Sequence, residues 1–281
     1  MSRMSACCYI VIVILIFIFC VQCSSLYVDS QISKIDRRNL SDPPPCPSLN
    51  VSALRLITFD LFGALMLTRS SLQSHIAELL PSLSSSDVER FTDTWLEAYV
   101  SYFGKSFPRS QTRQPFLWVI HSSLLQILES FKLSTIVPED GSTFKSLIKA
   151  WSNLQPRPGT VEVLSKLSQK YQLGLLSNGD KDTLQTALRV FPSSVNISSI
   201  FSSDYPINCF KTCSAMYAQV LEAVHGDKTQ VFHVAGSAYD THGARTFGIF
   251  SGAIDSSAKH TSPPPCFAFD DIRQLISFFN V

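Results

Sequence analysis

Short apolar runs that end at polar turns recur along the chain from residue 54 onward. The first run, at 54–59, predicts a buried strand that ends at Asp60. Later runs of the same kind predict strands at 171–176, 200–203, 230–235 and 247–251. Helical patterns separate these strands, and strands that alternate with helices form parallel sheets. The pattern therefore predicts an α/β fold with a doubly wound parallel sheet.

A long helical block, at 71–153, separates the first predicted strand from the second. Its apolar residues recur at three- and four-residue spacing, as at Leu72 and Ile76, which is typical of amphipathic helices. Helices are predicted to start near 86–89 and to span 116–131 and 144–151. One of them carries a largely aromatic stripe, which we interpret as core packing: Phe91, Trp95, Ala98, Tyr99 and Phe103.

Proline-rich and polar stretches mark the limits of the folded part of the chain. Residues 25–53 include an Asp-Pro-Pro-Pro run and predict an unpacked linker. A second Pro-containing stretch at 156–159 marks the return from the helical block. The remaining patterns predict loops at 236–240 and 263–265, and helices at 160–169, 181–190, 213–225 and 272–279.

The first 24 residues differ in composition from the rest of the chain. Arg3 precedes an almost wholly apolar run and small residues follow it, a pattern typical of a secretory signal peptide. The run is also long enough to span a bilayer, so an uncleaved signal anchor is the alternative. Sequons at Asn39, Asn50 and Asn196 predict glycosylation. The protein is thus expected to be secreted or lumenal, with membrane contact only through an uncleaved anchor.

Charge and cysteine content narrow the classes of partner and compartment. The 23 basic and 22 acidic residues give a net charge of +1, and no basic stripe supports nucleic-acid binding. Four of the eight cysteines lie in the leader. In an oxidising compartment the other four permit two disulfides with three possible pairings: Cys46, Cys209, Cys213 and Cys266. No histidine cluster accompanies these cysteines, so no zinc site is predicted.

Residues able to support chemistry follow the predicted strands. Asp60 ends the first strand, Ser177 and Asn178 end the second, and Asp240 follows the fourth. Lys211 lies between the third strand and a predicted helix. Because the carboxyl ends of parallel strands meet at one edge of the sheet, we expect these residues to lie close together.

The order of these motifs resembles the haloacid dehalogenase-like hydrolases from about residue 54 to 281. The segments that carry the resemblance are DLFGAL at 60–65, LSNG at 176–179, Lys211 and GSAYDTHGAR at 236–245. They look most like the 2-haloacid dehalogenase branch. The resemblance implies a Rossmann-like core domain at 54–70 and 154–281, with an inserted helical cap at 71–153 that closes over the site.

The same resemblance implies a role for each site residue. Asp60 would be the nucleophile that forms an ester, which water then hydrolyses. Lys211 would steady the nucleophile's charge and help to hold an acidic substrate. Asp240 would orient Lys211 and position the hydrolytic water. The implied substrate-binding residues are Phe62, Ser177, Asn178, Ser237 and Tyr239.

Two replacements argue against magnesium. Phosphatases of the superfamily carry an aspartate two positions after the nucleophile, where this chain has Phe62. Ser237 stands where they carry a further metal-binding carboxylate. A magnesium site would therefore lack hard oxygen ligands, and no metal or other cofactor is predicted.

Other replacements fall at positions that belong to the motifs of the dehalogenase branch itself. Ala64, Ala235 and Ser237 stand where that branch has Thr, Ser and Asn. Leu96 occupies the position of the cap arginine that receives the leaving halide, although Arg90 or Arg113 could substitute from elsewhere in the cap.

Three hypotheses follow from these motifs and replacements. The first is a hydrolase that acts through an aspartyl ester on a small acidic substrate such as a 2-haloacid. The second is an atypical phosphatase of the same superfamily. The third is a secreted binding protein that kept the fold and lost the activity. The physiological substrate stays open, as does homodimer formation.

Overall fold

The computed structural model describes residues 43–108 and 113–281. The predicted leader at 1–24, the sequon at Asn39 and the first part of the predicted linker lie outside the described residues. The sequons at Asn50 and Asn196 lie within them, and both asparagines are exposed. Within the described ranges, no helix is long and apolar enough to cross a membrane.

A six-stranded parallel sheet forms the centre of the fold, with the strand order β3-β2-β1-β4-β5-β6. This order and the flanking helices confirm the predicted α/β fold with a doubly wound, Rossmann-like sheet. The strands are β1 (Leu56–Phe59), β2 (Gln172–Leu176), β3 (Ser199–Phe201), β4 (Val231–Ala235), β5 (Phe250–Ile254) and β6 (Phe267–Phe269).

Nine α-helices accompany the sheet in the described part of the chain. Five of them, α1 to α5, lie in sequence between β1 and β2, and the first four occupy the region of the predicted helical block. The helices are α1 (Thr68–Leu79), α2 (Ser85–Val100), α3 (Pro115–Ser130), α4 (Ser142–Ala150), α5 (Thr160–Leu167), α6 (Lys181–Leu188), α7 (Ser214–Ala218), α8 (Ala238–Phe247) and α9 (Gln274–Phe279). Short 3-10 turns occur at Val51–Ala53, Gln219–Val224, Lys228–Gln230 and Ser256–His260.

The central strand β1 explains why the sheet forms around this segment. All four of its residues are fully buried, as expected for a strand covered on both faces. It pairs with β2 on one side and β4 on the other, so Phe59 lies beside Leu175 and Val234. The next residue is Asp60, whose N–H continues the ladder by donating to the Val234 carbonyl at 2.9 Å. This places the carboxylate of Asp60 at the carboxyl edge of the sheet.

Two chain segments connect the helical block to the sheet, and they pair with each other. The outgoing segment contains Leu65 and Leu67, and the returning segment contains Gln155 and Arg157. Leu67 N–H donates to the Gln155 carbonyl at 2.9 Å, and Arg157 N–H donates to the Leu65 carbonyl at 2.8 Å. These hydrogen bonds hold the two connecting segments together next to the carboxyl end of β1.

The predicted loop at 236–240 is wrong, because α8 already begins at Ala238. Ser237 is the N-cap of this helix, and its hydroxyl accepts the N–H of Asp240 at 3.3 Å. A serine cap followed by a helical run is a start signal that the sequence pattern contained. The helix continues to Phe247, so the following strand starts at Phe250 rather than at 247. Gly248, with φ +100°, ends the helix in the left-handed conformation.

Two further elements differ from the prediction. The helix predicted at 213–225 is a short α-helix, α7, followed by the 3-10 turn Gln219–Val224. The strand β6 was not predicted, because it has only three residues and follows the proline-rich loop directly. It pairs with β5 and adds the outermost strand on that side of the sheet.

Part of the predicted linker is attached to the core. Cys46 forms a disulfide with Cys266, a sequence separation of 220 residues. The Pro44 carbonyl accepts a hydrogen bond from Arg245 Nε. The prediction of an unpacked segment is therefore wrong at these positions. The second disulfide joins Cys209 and Cys213, which selects one of the three predicted pairings.

Candidate active site

Asp60 is held at the end of β1 by the neighbouring strand β2. Ser177, the residue that follows β2, donates its hydroxyl hydrogen to Oδ1 of Asp60 at 2.7 Å. Ser177 is fully buried, whereas the Asp60 side chain retains 14% of its exposure. The carboxylate is therefore fixed in orientation and still reachable. Such an arrangement suits a nucleophile.

Lys211 lies between the two carboxylates of the site. Its Nζ is 2.7 Å from Oδ2 of Asp240 and 3.3 Å from Oδ1 of Asp60. Its backbone N–H donates to Oδ1 of Asn178 at 2.8 Å, which fixes the loop that carries it. The structure thus brings together five of the predicted site residues: Asp60, Ser177, Asn178, Lys211 and Asp240.

The groups around Asp240 keep its carboxyl group ionised. The Tyr217 hydroxyl donates to its Oδ1 at 2.8 Å, and its Oδ2 faces Lys211 and His233. Burial opposes ionisation, but the Lys211 ammonium and the His233 imidazole outweigh it and hold the pKa of this carboxyl far below its usual range. Asp240 is therefore a permanent counter-charge for Lys211.

The pKa of Asp60 moves in the opposite direction. Burial raises the pKa of the Asp60 carboxyl above its usual value, and the charge of Asp240 adds to this effect. Lys211 and the Ser177 hydroxyl act against it. Two neighbouring carboxylates with divergent pKa values indicate different chemical roles. The less stabilised anion, Asp60, is the better nucleophile of the two.

His233 is a site residue that the sequence reasoning missed. It is fully buried in β4 beside Thr58 of β1. Its Nε2 is 2.9 Å from Oδ2 of Asp240, and its Nδ1 is 2.9 Å from the Thr58 hydroxyl. Because Asp240 is ionised, Nε2 carries the hydrogen and donates it. The available signal was a polar residue in the middle of an otherwise apolar strand.

Tyr217 was also missed, and it lies six residues after Lys211 on α7. Its hydroxyl contacts both the side chain and the backbone carbonyl of Asp240, at 2.8 and 3.2 Å. The sequence offered little signal, because an apolar helix containing one tyrosine is common in protein cores.

The loops after β1 and β4 approach each other closely at two glycines. Gly63 has φ +86°, a conformation that favours glycine. A Cβ atom on Gly236 would lie 2.8 Å from the Ala64 nitrogen, which is closer than packing allows. Gly236 therefore lets the two loops meet, and their contact sets the separation between Asp60 and Asp240.

An aromatic wall from the helical block stands next to Asp60. Phe62 stacks on Phe116 with a centroid separation of 5.1 Å, and Tyr99 and Trp151 meet its ring at an angle, at 6.1 and 5.7 Å. The Tyr99 hydroxyl also hydrogen-bonds to the Asn178 side chain. The interpretation of the aromatic stripe as core packing is therefore incomplete, because Tyr99 reaches the site.

The remaining predicted substrate-binding residues have clear structural positions. Phe62 forms the base of the aromatic wall. Tyr239 is buried in the first turn of α8, with its ring 5.6 Å from that of Phe103. Ser237 caps α8. Direct contact of these three residues with a substrate stays a prediction.

The structure places the two cap arginines considered as halide ligands elsewhere. Arg90 pairs with Asp87 at 2.8 Å and is largely exposed. Arg113 packs over the Tyr205 ring and lines an open groove of about 510 Å³ with Gln114, Leu117, Trp118 and His121. Leu96, at the family's arginine position, is buried in α2.

The described residues offer few ligands for a divalent cation. Among residues 43–108 and 113–281, no group of three or more His, Cys, Asp or Glu side chains is arranged to hold a metal ion. The space between Asp60 and Asp240 is bridged by the Lys211 ammonium. These residues do not fit a magnesium site of the phosphatase type.

A sequence model of the family described as haloacid dehalogenase-like hydrolase matches residues 54–248. The chain belongs to the haloacid dehalogenase-like hydrolases. This haloacid dehalogenase-like hydrolase is also 25% identical over 230 residues to (S)-2-haloacid dehalogenase 4A from Burkholderia cepacia. That match covers 81% of this chain and 92% of the relative. The predicted family is therefore confirmed.

Solved structures of 2-haloacid dehalogenases share the fold of this haloacid dehalogenase-like hydrolase. The L-2-haloacid dehalogenase RSc1362 superposes with a TM-score of 0.68 at 24% identity, covering 81% of this chain and 99% of its own. The enzyme from Xanthobacter autotrophicus, with chloropropionic acid covalently bound, gives 0.65 at 19% identity, covering 81% and 98%. At these levels of sequence identity, the structural similarity establishes that the proteins share a fold.

Proposed function

We propose that this protein hydrolyses a small acidic substrate of the 2-haloacid class through an ester on Asp60. The observation that carries the proposal is the Asp60 carboxylate, fixed by Ser177 and Lys211 and facing an aromatic wall. The covalent complex recorded for the Xanthobacter autotrophicus relative supports the same type of intermediate.

In the first step, an Asp60 oxygen attacks the substrate carbon that bears the leaving group. The carbon–oxygen bond forms as the carbon–leaving-group bond breaks, and the leaving group takes the electron pair. Lys211 holds the carboxylate in place, and the Ser177 hydroxyl orients it. The partial burial of Asp60 keeps most water away from the nucleophile, which strengthens these electrostatic contacts.

In the second step, water attacks the acyl carbon of the ester, and the bond between that carbon and the substrate oxygen breaks. One proton of the water passes to the departing alkoxide, which gives the hydroxy acid, and the other is lost to solvent, so that the Asp60 carboxylate is regenerated. The Lys211 ammonium is close enough to the former carboxylate to stabilise the oxyanion that develops. Asp240 keeps that ammonium charged and in position. We assign Asp240 this positioning role because three donors already occupy its oxygens.

We also propose that the reaction needs no metal. Phe62 can neither bind a cation nor shuttle a proton, and its ring is committed to the aromatic wall. Lys211 supplies the positive charge between the two carboxylates. The intact polar network supports a working enzyme over a non-catalytic binding protein, because buried charges without a function are costly to keep.

A substrate panel tests the proposal. Purified protein is assayed with (S)- and (R)-2-chloropropionate, bromoacetate and p-nitrophenyl phosphate, each with magnesium and with EDTA. We expect halide release from 2-haloacids that is unaffected by EDTA and absent in Asp60→Asn. A magnesium-dependent phosphatase rate that Asp60→Asn abolishes would instead establish the atypical phosphatase, and inactivity on every compound would favour the binding protein.

A further inference from the structure

The indole N–H of Trp151 is a buried donor without an acceptor. Trp151 is 1% exposed, and within the described residues no hydrogen-bond partner lies in reach of its Nε1. Its ring packs against the aromatic wall, with centroid distances of 5.2 to 5.7 Å to four neighbours: Phe62, Trp95, Tyr99 and Phe116. The unpaired donor therefore lies among the rings of the aromatic wall, which includes Phe62, two residues after Asp60.

A second tryptophan of the same wall is fully satisfied. The Trp95 indole donates to the Ser123 hydroxyl at 3.0 Å. Leaving a buried N–H unpaired costs about 1–3 kcal/mol, so such groups in native proteins usually serve a ligand or an ordered water. The contrast between the two tryptophans makes the Trp151 N–H the donor of this wall that is available to an external acceptor.

Tyr99 supplies a second donor beside Trp151. Its hydroxyl hydrogen-bonds to the Asn178 side chain. Because the amide oxygen of Asn178 already accepts the Lys211 N–H, its NH₂ group faces Tyr99. The hydroxyl hydrogen of Tyr99 can then be donated to a further acceptor. Burial and the charge of Asp60 raise the pKa of Tyr99 well above its usual value, so this hydrogen is retained across the physiological range.

The position of these donors relative to Asp60 is significant. Asp60 attacks from the sheet, whereas Tyr99 belongs to α2 and Trp151 directly follows α4, both in the helical block. In a displacement at carbon, the leaving group departs on the side opposite the attacking oxygen. A substrate held between Asp60 and the aromatic wall would release its leaving group toward Tyr99 and Trp151.

We propose that the Trp151 indole N–H and the Tyr99 hydroxyl bind the leaving anion, in place of the arginine that Leu96 has replaced. The inference rests on the proposed function, and it adds the leaving-group site. As the carbon–halogen bond breaks, its electron pair goes to the halide, which accepts both hydrogen bonds. No proton is transferred in this step.

The chemistry of the wall defines the anion. Two neutral donors suit a monovalent halide better than a phosphate, which needs cationic partners in a buried site. The expected leaving groups are therefore chloride and bromide.

A binding experiment tests the site without turnover. Bromide is titrated into the intact protein while tryptophan fluorescence is recorded, and crystals soaked in sodium bromide are examined for anomalous scattering. We expect a bromide within hydrogen-bond distance of Trp151 Nε1 and quenching that saturates. Trp151→Phe should weaken binding at least about tenfold. Trp118→Phe, which alters a tryptophan of the open groove, should leave binding unchanged.

A kinetic experiment connects the site to the leaving group. Tyr99→Phe removes only the hydroxyl oxygen and preserves the packing of the ring. We therefore expect this variant to fold normally. With 2-bromopropionate it should lower the rate of ester formation by about tenfold to a hundredfold, the range for loss of one aimed donor. The rate of ester hydrolysis should stay within about twofold, since the halide has departed by then.

The possible outcomes separate the two proposals. Turnover of haloacids with bromide affinity unchanged in Trp151→Phe overturns the leaving-group site and leaves the proposed function standing. Saturable bromide binding at Trp151 without turnover of any haloacid supports the anion site and contradicts the proposed function. Bromide absent from Trp151 in the soaked crystals also overturns the site.

Discussion

The two aspartates of the site show how local surroundings assign different roles to identical side chains. Asp240 has three donors on its oxygens, and its pKa is lowered strongly. Asp60 has a serine and a longer contact to Lys211, and its pKa is raised. Ionised Asp240 thus stabilises the fold, while ionised Asp60 costs stability and gains reactivity.

Replacing each aspartate by asparagine should change stability in opposite directions. The lowered pKa of Asp240 adds stability above its unfolded pKa, and this is lost as pH falls through the folded pKa. The raised pKa of Asp60 subtracts stability once pH exceeds the folded value. At pH 7, Asp240→Asn should lose about 3 kcal/mol in urea unfolding, whereas Asp60→Asn should be more stable than the unsubstituted protein. Equal losses in both variants would contradict the assignment.

The hydrogen bond from His233 to Asp240 should matter for rate more than for substrate binding. His233→Met removes the Nε2 donor at similar volume and should lower kcat about thirtyfold with little change in KM. His233→Gln keeps a donor at the same reach and should recover most of the rate. His121→Gln, at a partly exposed histidine of α3 that pairs with Glu139, is the control. Equal rates for the Met and Gln variants would exclude the positioning role.

Several single residues could be predicted from the sequence and others could not. Asp60, Ser177, Asn178, Lys211 and Asp240 were predictable because strand ends of a parallel sheet converge at one edge. Thr58 and His233 lie within strands, and only the pairing of β1 with β4 brings them together. Trp151 and Tyr99 looked like core residues, because a sequence does not reveal whether a buried N–H has an acceptor.

At the level of elements, the loops after β1 and β4 determine the site geometry. Gly63 and Gly236 allow their backbones to touch, and Ser237 then starts α8 so that Asp240 lies in its first turn. The sequence predicted β1, β2 and β4 to within two residues, because buried parallel strands are continuous apolar runs, whereas the short edge strand β6 was not predicted. It placed the α8 start wrongly because Ser-Ala-Tyr-Asp is also typical of a loop, and tertiary packing decided the outcome.

Substituting Gly236 should damage catalysis. In Gly236→Ala the new methyl group would collide with the backbone around Phe62 and Ala64, so the loops must separate and move Asp60 away from Lys211. We expect kcat to fall about a hundredfold, since small misplacement of reacting groups is costly. Gly226→Ala is the control, because no atom lies within 4 Å of its Cβ position and its φ of +87° only adds local strain. Full activity in Gly236→Ala would refute the account of this contact.

At the level of the whole molecule, two disulfides join parts of the chain at very different sequence separations. Cys46–Cys266 links the segment before β1 to the segment before β6, whereas Cys209–Cys213 closes a loop beside Lys211. Entry into the secretory pathway stays a prediction, because the leader at 1–24 lies outside the described residues. The pairing of the four cysteines could be identified only from the folded structure, because the sequence alone is compatible with three pairings.

Loss of the long-range disulfide should reduce stability more than loss of the short one. The chain-entropy relation assigns about 5 kcal/mol to a loop of this length and about 2 kcal/mol to a loop of a few residues. Paired Cys46→Ser and Cys266→Ser substitutions should therefore lower the urea midpoint more than paired Cys209→Ser and Cys213→Ser substitutions. The reverse order would contradict the assignment of the larger stabilisation to Cys46–Cys266.

The whole mechanism depends on Asp60 as the nucleophile, and oxygen labelling can identify the nucleophile. A single turnover of 2-chloropropionate with excess enzyme is run in ¹⁸O-water, and both the peptide containing Asp60 and the product are weighed by mass spectrometry. If Asp60 forms the ester, water attacks its acyl carbon, so one ¹⁸O enters Asp60 and the released lactate is unlabelled. Label in the lactate with none in the Asp60 peptide would mean that water attacks the substrate directly, and the account would be wrong.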